Sequence, residues 1–167
     1  MNSLWYVLRV FYAVGLLFVV PLFLIAAFDF DQDREVASMI LVCGVIYLLF
    51  GYLLFSAAPR YFRSRLDQQV TLLSPGFKPD FSVYSCKLDG YLGVDRKAGA
   101  VVFISRASGV QAQLEVPEIR EWEVEPAGKN PALVKLSTAV AELPLVGFRF
   151  NWRESMALTA NLQATFG

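Results

Sequence analysis

Two long stretches without a charged side chain constrain this chain more than any other feature. Residues 10–28 run nineteen positions without a charge, and residues 36–58 run twenty-three. A helix rises about 1.5 Å per residue, so roughly twenty apolar residues cross a hydrocarbon layer about 30 Å thick. Both stretches reach that length. A single one would suit the core helix of a soluble protein. Two of them, joined by only seven residues (29–35), predict a transmembrane helical hairpin over residues 1–58, with spans at about 10–28 and 36–58. Pro21 is expected to kink the first span. Trp5, Tyr6, Tyr12, Tyr52 and Tyr61 lie near span ends, as an aromatic belt would. Gly15, Gly44 and Gly51 offer close helix approach, although no GxxxG motif marks a dimer face. A cleaved signal peptide, cut near Ala26 and Ala27, is the alternative for the first span, but its apolar region exceeds the usual length of about 7–15 residues.

Basic residues set the expected orientation. The short connection carries Arg34 among Asp29, Asp31, Asp33 and Glu35, whereas Arg60, Arg63 and Arg65 follow the second span. The positive-inside rule then places both termini in the cytoplasm and the acidic loop outside, as in a multi-pass protein of the bacterial inner membrane.

Residues 59–76 read as a basic amphipathic connector. Pro59 is expected to end the second span. Phe62, Leu66, Val70 and Leu73 then recur at helical spacing, with Arg60, Arg63 and Arg65 on other faces. A helix lying on an anionic leaflet would use Arg60, Phe62, Arg63, Arg65 and Leu66 as membrane-interface residues. A helix packing its stripe onto the following domain has the same period, and both readings stand. Ser74-Pro75-Gly76 supplies a turn and a boundary.

From residue 77 the period changes to alternation. Strands are expected at 81–86, 91–95, 100–106, 110–116, 120–125, 133–138 and 143–150, separated by turns such as Lys87-Leu88-Asp89-Gly90 and Arg96-Lys97-Ala98-Gly99 and by a loop at 126–131. Val110, Ala112, Leu114 and Val116 face one way, and Gln111, Gln113 and Glu115 the other, as in a half-buried antiparallel strand. Asn151 is an N-cap candidate, with Glu154 placed for a capping box. In the helix that follows, Met156, Leu158, Leu162 and Phe166 supply an apolar side. Phe150 and Trp152 are placed to staple that helix to the sheet.

Seven short antiparallel strands followed by one helix, over about residues 77–166, resemble the pleckstrin-homology (PH) superfold. Two details are similar to small bacterial PH-like domains. One is the aspartate before a tight hairpin, Asp95 in Gly93-Val94-Asp95-Arg96-Lys97. The other is the isoleucine and tryptophan after strand four, in Ile119-Arg120-Glu121-Trp122-Glu123. The resemblance implies an α+β membrane protein in which the hairpin carries a seven-stranded PH-like barrel, residues 77–167, capped by its C-terminal helix. It also implies protein binding at a strand edge or in the groove beside the helix. The first hairpin loop departs from phosphoinositide-binding members, since it offers Lys87 alone beside Asp89.

Composition narrows the chemistry. The chain is 56% hydrophobic with a mean hydropathy of +0.46, above the 45–50% or so typical of soluble domains, and the spans hold the excess. Fifteen basic residues balance fifteen acidic ones, which argues against nucleic acid as a partner. No histidine is present, which excludes Ser-His-Asp and Cys-His catalysis and any His-ligated metal. No phosphate-binding glycine loop occurs. Cys43 and Cys86 are expected to be far apart, reduced and packed rather than nucleophilic. No enzyme, metal or cofactor is expected. Candidate partner contacts are Arg96 and Lys97, read first as an ordinary solvated turn, and Glu121, Glu123 and Glu125, read first as the wet face of strands four and five. The expected function is a non-enzymatic membrane protein presenting a cytoplasmic interaction module to another protein. Its layout also resembles entry- or surface-exclusion and accessory proteins of conjugative or secretion systems. An oligomeric scaffold, with the chain as its own partner, is the third reading.

Overall fold

In the computed structural model, residues 2–28, 34–125 and 131–167 are described. The expected acidic connection at 29–33 and most of the expected loop, 126–130, lie outside the described residues. The chain forms two compact units, Met1–Tyr61 and Phe62–Gly167.

The first unit is a pair of long apolar helices, α1 (Asn2–Phe28) and α2 (Arg34–Tyr52). Both are long and apolar enough to cross a membrane. Most of their large side chains, among them Phe11, Leu17, Phe18 and Leu49, are exposed, so these helices are not the interior of a soluble core. α1 runs through Pro21 without a break. The helices meet where each glycine receives an aromatic ring from the other helix: Tyr47 over Gly15, Phe23 over Gly44 and Tyr12 over Gly51. Tyr12 and Tyr47 stack with centroids 4.4 Å apart, and the Tyr47 hydroxyl donates to the Tyr12 carbonyl at 2.6 Å. Tyr12 is therefore buried between the helices rather than part of a belt, whereas Tyr52 and Tyr61 are exposed.

Pro59 does not end the second helix. α2 widens into a π-helical turn, Leu53–Ala57, and continues as α3 (Ala58–Leu73). Proline has no N–H for the carbonyl four residues back and its ring crowds that carbonyl. A turn widened by one residue accommodates both effects.

The second unit contains two antiparallel sheets. One holds β1 (Phe81–Tyr84), β2 (Gly90–Asp95), β3 (Ala100–Ser105) and β4 (Val110–Glu115) in that order. The other holds β5 (Ile119–Glu125), β6 (Ala132–Thr138) and β7 (Leu145–Phe150). The strands fall within two residues of the expected bounds. β7 starts at Leu145 because Leu143 and Pro144 sit in a turn, where the Thr138 hydroxyl donates to the Leu143 carbonyl at 2.6 Å. Between the sheets lies one core, in which Leu92, Val94, Val101 and Phe103 meet Val134, Leu136, Val146, Phe148 and Phe150.

The sheets do not close into the expected barrel. β1 ends after four residues, and only an isolated bridge, Ser85 to Phe150, joins the sheets on that side. Between β4 and β5 the chain passes through a short turn, Val116–Glu118, which contains Pro117 and which the Glu118 carboxylate braces by accepting from the Glu115 N–H at 2.7 Å. α4 (Ser155–Phe166) packs against β1 and β5, one outer strand of each sheet, and sends Leu158 and Leu162 into the core. Met156, expected on that apolar side, is 86% exposed. Asn151 does cap the turn before α4, its side chain accepting from the Arg153 N–H at 3.1 Å.

α3 settles on the domain. All of β2 and β3 is buried, so the first sheet is covered on both faces. Its second face, Tyr91, Val102 and Ile104, is covered by Leu66 and Val70 of α3. Burying a leucine fully contributes about 1.5–3 kcal/mol. The Tyr84 hydroxyl donates to Asp67 at 2.7 Å, and Arg106 donates twice to the Gln69 side-chain oxygen, at 2.9 and 3.0 Å. Burial, then the Asp67 carboxylate, pushes the Tyr84 hydroxyl pKa up, and burial raises that of Tyr91 to about 12. The compact unit thus begins at Phe62 rather than at residue 77.

Candidate functional site

The membrane-interface residues separate by face. Arg60, Arg63 and Arg65 are exposed, Phe62 is half-buried, and Leu66 is fully buried against the sheet. Leu66 is therefore a core residue of the domain, out of reach of lipid. Arg63 lies over the Tyr84 ring, 5.4 Å from its centroid.

The β2–β3 hairpin is organised by two aspartates. Asp95 is buried, and its carboxylate accepts from the backbone N–H groups of Ala98 at 2.9 Å, Lys97 at 3.0 Å and Lys78 at 3.3 Å. These bonds, Ala98 first, hold its pKa below the usual carboxylate value. Asp80 accepts from the Arg96 N–H at 2.7 Å. The turn these bonds form aims Arg96 at the end of α4. Its guanidinium donates to the Asn161 carbonyl and side-chain oxygen, both at 3.0 Å, and to the Thr165 hydroxyl at 2.9 Å. Arg96 also lies over Phe81. It is an exposed turn residue whose side chain ties the hairpin to the helix. Lys97 is exposed.

The acidic candidates share the outward face of β5. The register sets Glu123 opposite Lys135 of β6, and the Lys135 ammonium pairs with Glu125 and, at 3.6 Å, with Glu123. The Glu125 contact is the main cause that raises the Lys135 pKa. A shallow hollow of about 350 Å³ lies here, lined by Glu121, Trp122, Glu123, Lys135, Ser137 and Leu145. Because Lys135 offsets part of the acid, the strip is a mixed polar face rather than an acidic site.

A second hollow lies beside the helix, where the resemblance implies a groove without identifying its residues. Val124 of β5 and Ser155, Met156, Thr159, Ala160 and Gln163 of α4 line a groove of about 450 Å³. β5 is the outer strand of its sheet, so the groove runs beside a sheet edge. The available signal was Met156, a long apolar side chain that shares no helical face with Leu158 and Leu162. Phe150 is fully buried and Trp152 is half-exposed, so only the phenylalanine anchors the core.

Neither cysteine is packed as expected; both are exposed. Cys86 is exposed at the end of β1, and burial of its thiol, with Glu154 nearby, pushes its pKa up, away from thiolate. Cys43 is exposed on α2. Among the described residues no group of acidic or cysteine side chains could hold a metal ion. The chain matches no protein-family model, no curated protein and no solved structure.

Proposed function

We propose that this chain is a non-enzymatic membrane protein that presents a PH-like interaction module at the cytoplasmic face of a bacterial inner membrane. The observation that carries this reading is the outward surface of α1 and α2. It is almost wholly apolar, and large side chains such as Phe11, Leu17, Phe18 and Phe28 have no cover within the chain. Water would penalise that surface heavily, whereas lipid would not. The arginines at positions 60, 63 and 65, against the acidic connection, support an orientation with both termini inside.

The PH-like reading of the second unit rests on element order. Four strands, then three, then a helix across the outer strands fit that architecture. The groove between β5 and α4 is the surface we assign to a partner. An extended segment laid there would pair with the edge of β5 and bury Met156 and Val124. Two measurements test the reading. The full chain should stay in the membrane pellet after alkaline carbonate extraction; its release would end the membrane assignment. A photocrosslinker at Thr159, introduced in cells, should give a discrete adduct that Met156→Glu abolishes. Adducts equally strong in both backgrounds would end the assignment of the groove.

A further inference from the structure

Arg9 is the only basic residue of α1. Its guanidinium lies 4.7 Å from the Trp5 ring centroid and 4.4 Å from that of Phe55. Both rings are held in place. Trp5 is buried, and its indole N–H donates to the Leu54 carbonyl at 2.9 Å. Phe55 packs beside Tyr12 at 5.7 Å. Leu54 and Phe55 both belong to the π-helical turn, so the irregular turn builds this setting. Ring faces attract a cation but accept no ordinary hydrogen bond, and a guanidinium carries five N–H donors. The polar contacts of Arg9 among the described residues are these two ring faces.

The same arginine stands at one end of a groove of about 530 Å³, lined otherwise by Val10, Ala13, Val14, Leu17 and Phe55. The α1 positions follow one helical face, and the eight steps from Arg9 to Leu17 span about 12 Å. The groove therefore has one anion-seeking end and an apolar remainder. A phosphodiester with an attached acyl chain matches both parts. An acidic side chain from another spanning helix would match the cation but would leave the apolar remainder of the groove unfilled. A lipid phosphate already sits at the interface.

We propose that Arg9, clamped between Trp5 and Phe55, binds the phosphate of one anionic phospholipid whose acyl chain fills the Val10–Ala13–Val14–Leu17 groove. The site rests on the membrane reading above. The guanidinium fork can meet two phosphate oxygens at once, which a lysine cannot.

The test uses the full chain reconstituted in vesicles of equal parts phosphatidylglycerol and phosphatidylcholine, extracted in mild detergent and weighed by native mass spectrometry. The wild type should retain one phosphatidylglycerol in preference to phosphatidylcholine. Arg9→Gln should cut that retention by about tenfold, the loss of one charge-assisted contact. Arg9→Lys should fall between the two. Leu17→Trp, which fills the groove and leaves the charge alone, should also reduce retention. Inorganic phosphate at millimolar concentration should not displace the lipid, because it brings no acyl chain. Equal retention of the two lipids, retention unchanged in Arg9→Gln or in Leu17→Trp, or displacement by free phosphate would overturn the lipid site. Release of the wild type from the vesicles by alkaline carbonate would instead overturn the membrane reading beneath it.

Discussion

Asp95 illustrates how a single carboxylate can specify a turn and leave a record in pH. Its three backbone N–H partners favour the ionised form, so its folded pKa lies below the unfolded value of about 3.9. The stabilisation it contributes is fully present above that unfolded value and is lost as pH falls through the folded one. Asp95→Asn should therefore lower the urea midpoint of the Phe62–Gly167 fragment at pH 7. The gap between variant and wild type should close as the solution is acidified below about pH 4. A gap independent of pH would mean that the carboxylate's charge is irrelevant. Leu66 makes a separate residue-scale case. It is fully buried between α3 and the first sheet, so Leu66→Ala should cost the same fragment about 2–5 kcal/mol. If the leucine faced lipid instead, urea unfolding of the fragment would barely change.

At the scale of elements, α4 depends on a hairpin distant from it in sequence. Arg96 reaches the Asn161 carbonyl and the Thr165 hydroxyl in the second half of the helix, and that hydroxyl itself donates to the Asn161 carbonyl at 2.7 Å. Arg96→Ala should speed amide hydrogen exchange in the last turn of α4, equivalent to about 1 kcal/mol of local stability, and leave β6 unchanged. The elements themselves were largely legible in the sequence, since alternation and turn residues placed all seven strands. The destination of α3 was not, because Phe62, Leu66, Val70 and Leu73 suit a bilayer and a sheet equally. The deciding signal lay elsewhere: Ala100–Ser105 is apolar on both faces, and a strand of that kind requires cover on each side. Pro59 misled for a different reason. A proline is incompatible with a regular helix ladder, but a π-helical turn is not a regular ladder. The groove beside β5 and the bonds of Arg96 depend on elements far apart in the chain, which spacing alone does not encode.

At the scale of the molecule, the two units differ in what they need from their surroundings. The Phe62–Gly167 unit has its own core and covers the second face of its first sheet with α3. Expressed alone, that fragment should be soluble and unfold in one cooperative transition. A fragment of residues 77–167, cut at the boundary suggested by Ser74-Pro75-Gly76, would expose Tyr91, Val102 and Ile104 and should aggregate or bind a hydrophobic dye. Equal behaviour of the two fragments in size-exclusion chromatography would remove α3 from the domain.

The seating of three aromatic rings on three glycines has a consequence for how the hairpin tolerates change. At Gly15, Gly44 and Gly51 even a methyl group would collide with Tyr47, Phe23 or Tyr12. The outward positions meet nothing inside the chain and need only remain apolar. Saturation mutagenesis of the hairpin should therefore return a sparse pattern: the three glycines and the inward aromatic rings seated on them resist replacement, while at the outward apolar positions valine, leucine, isoleucine and phenylalanine are interchangeable. Drift along a lineage would follow the same map, so the outward faces of the spans would lose their sequence signal long before the glycines did.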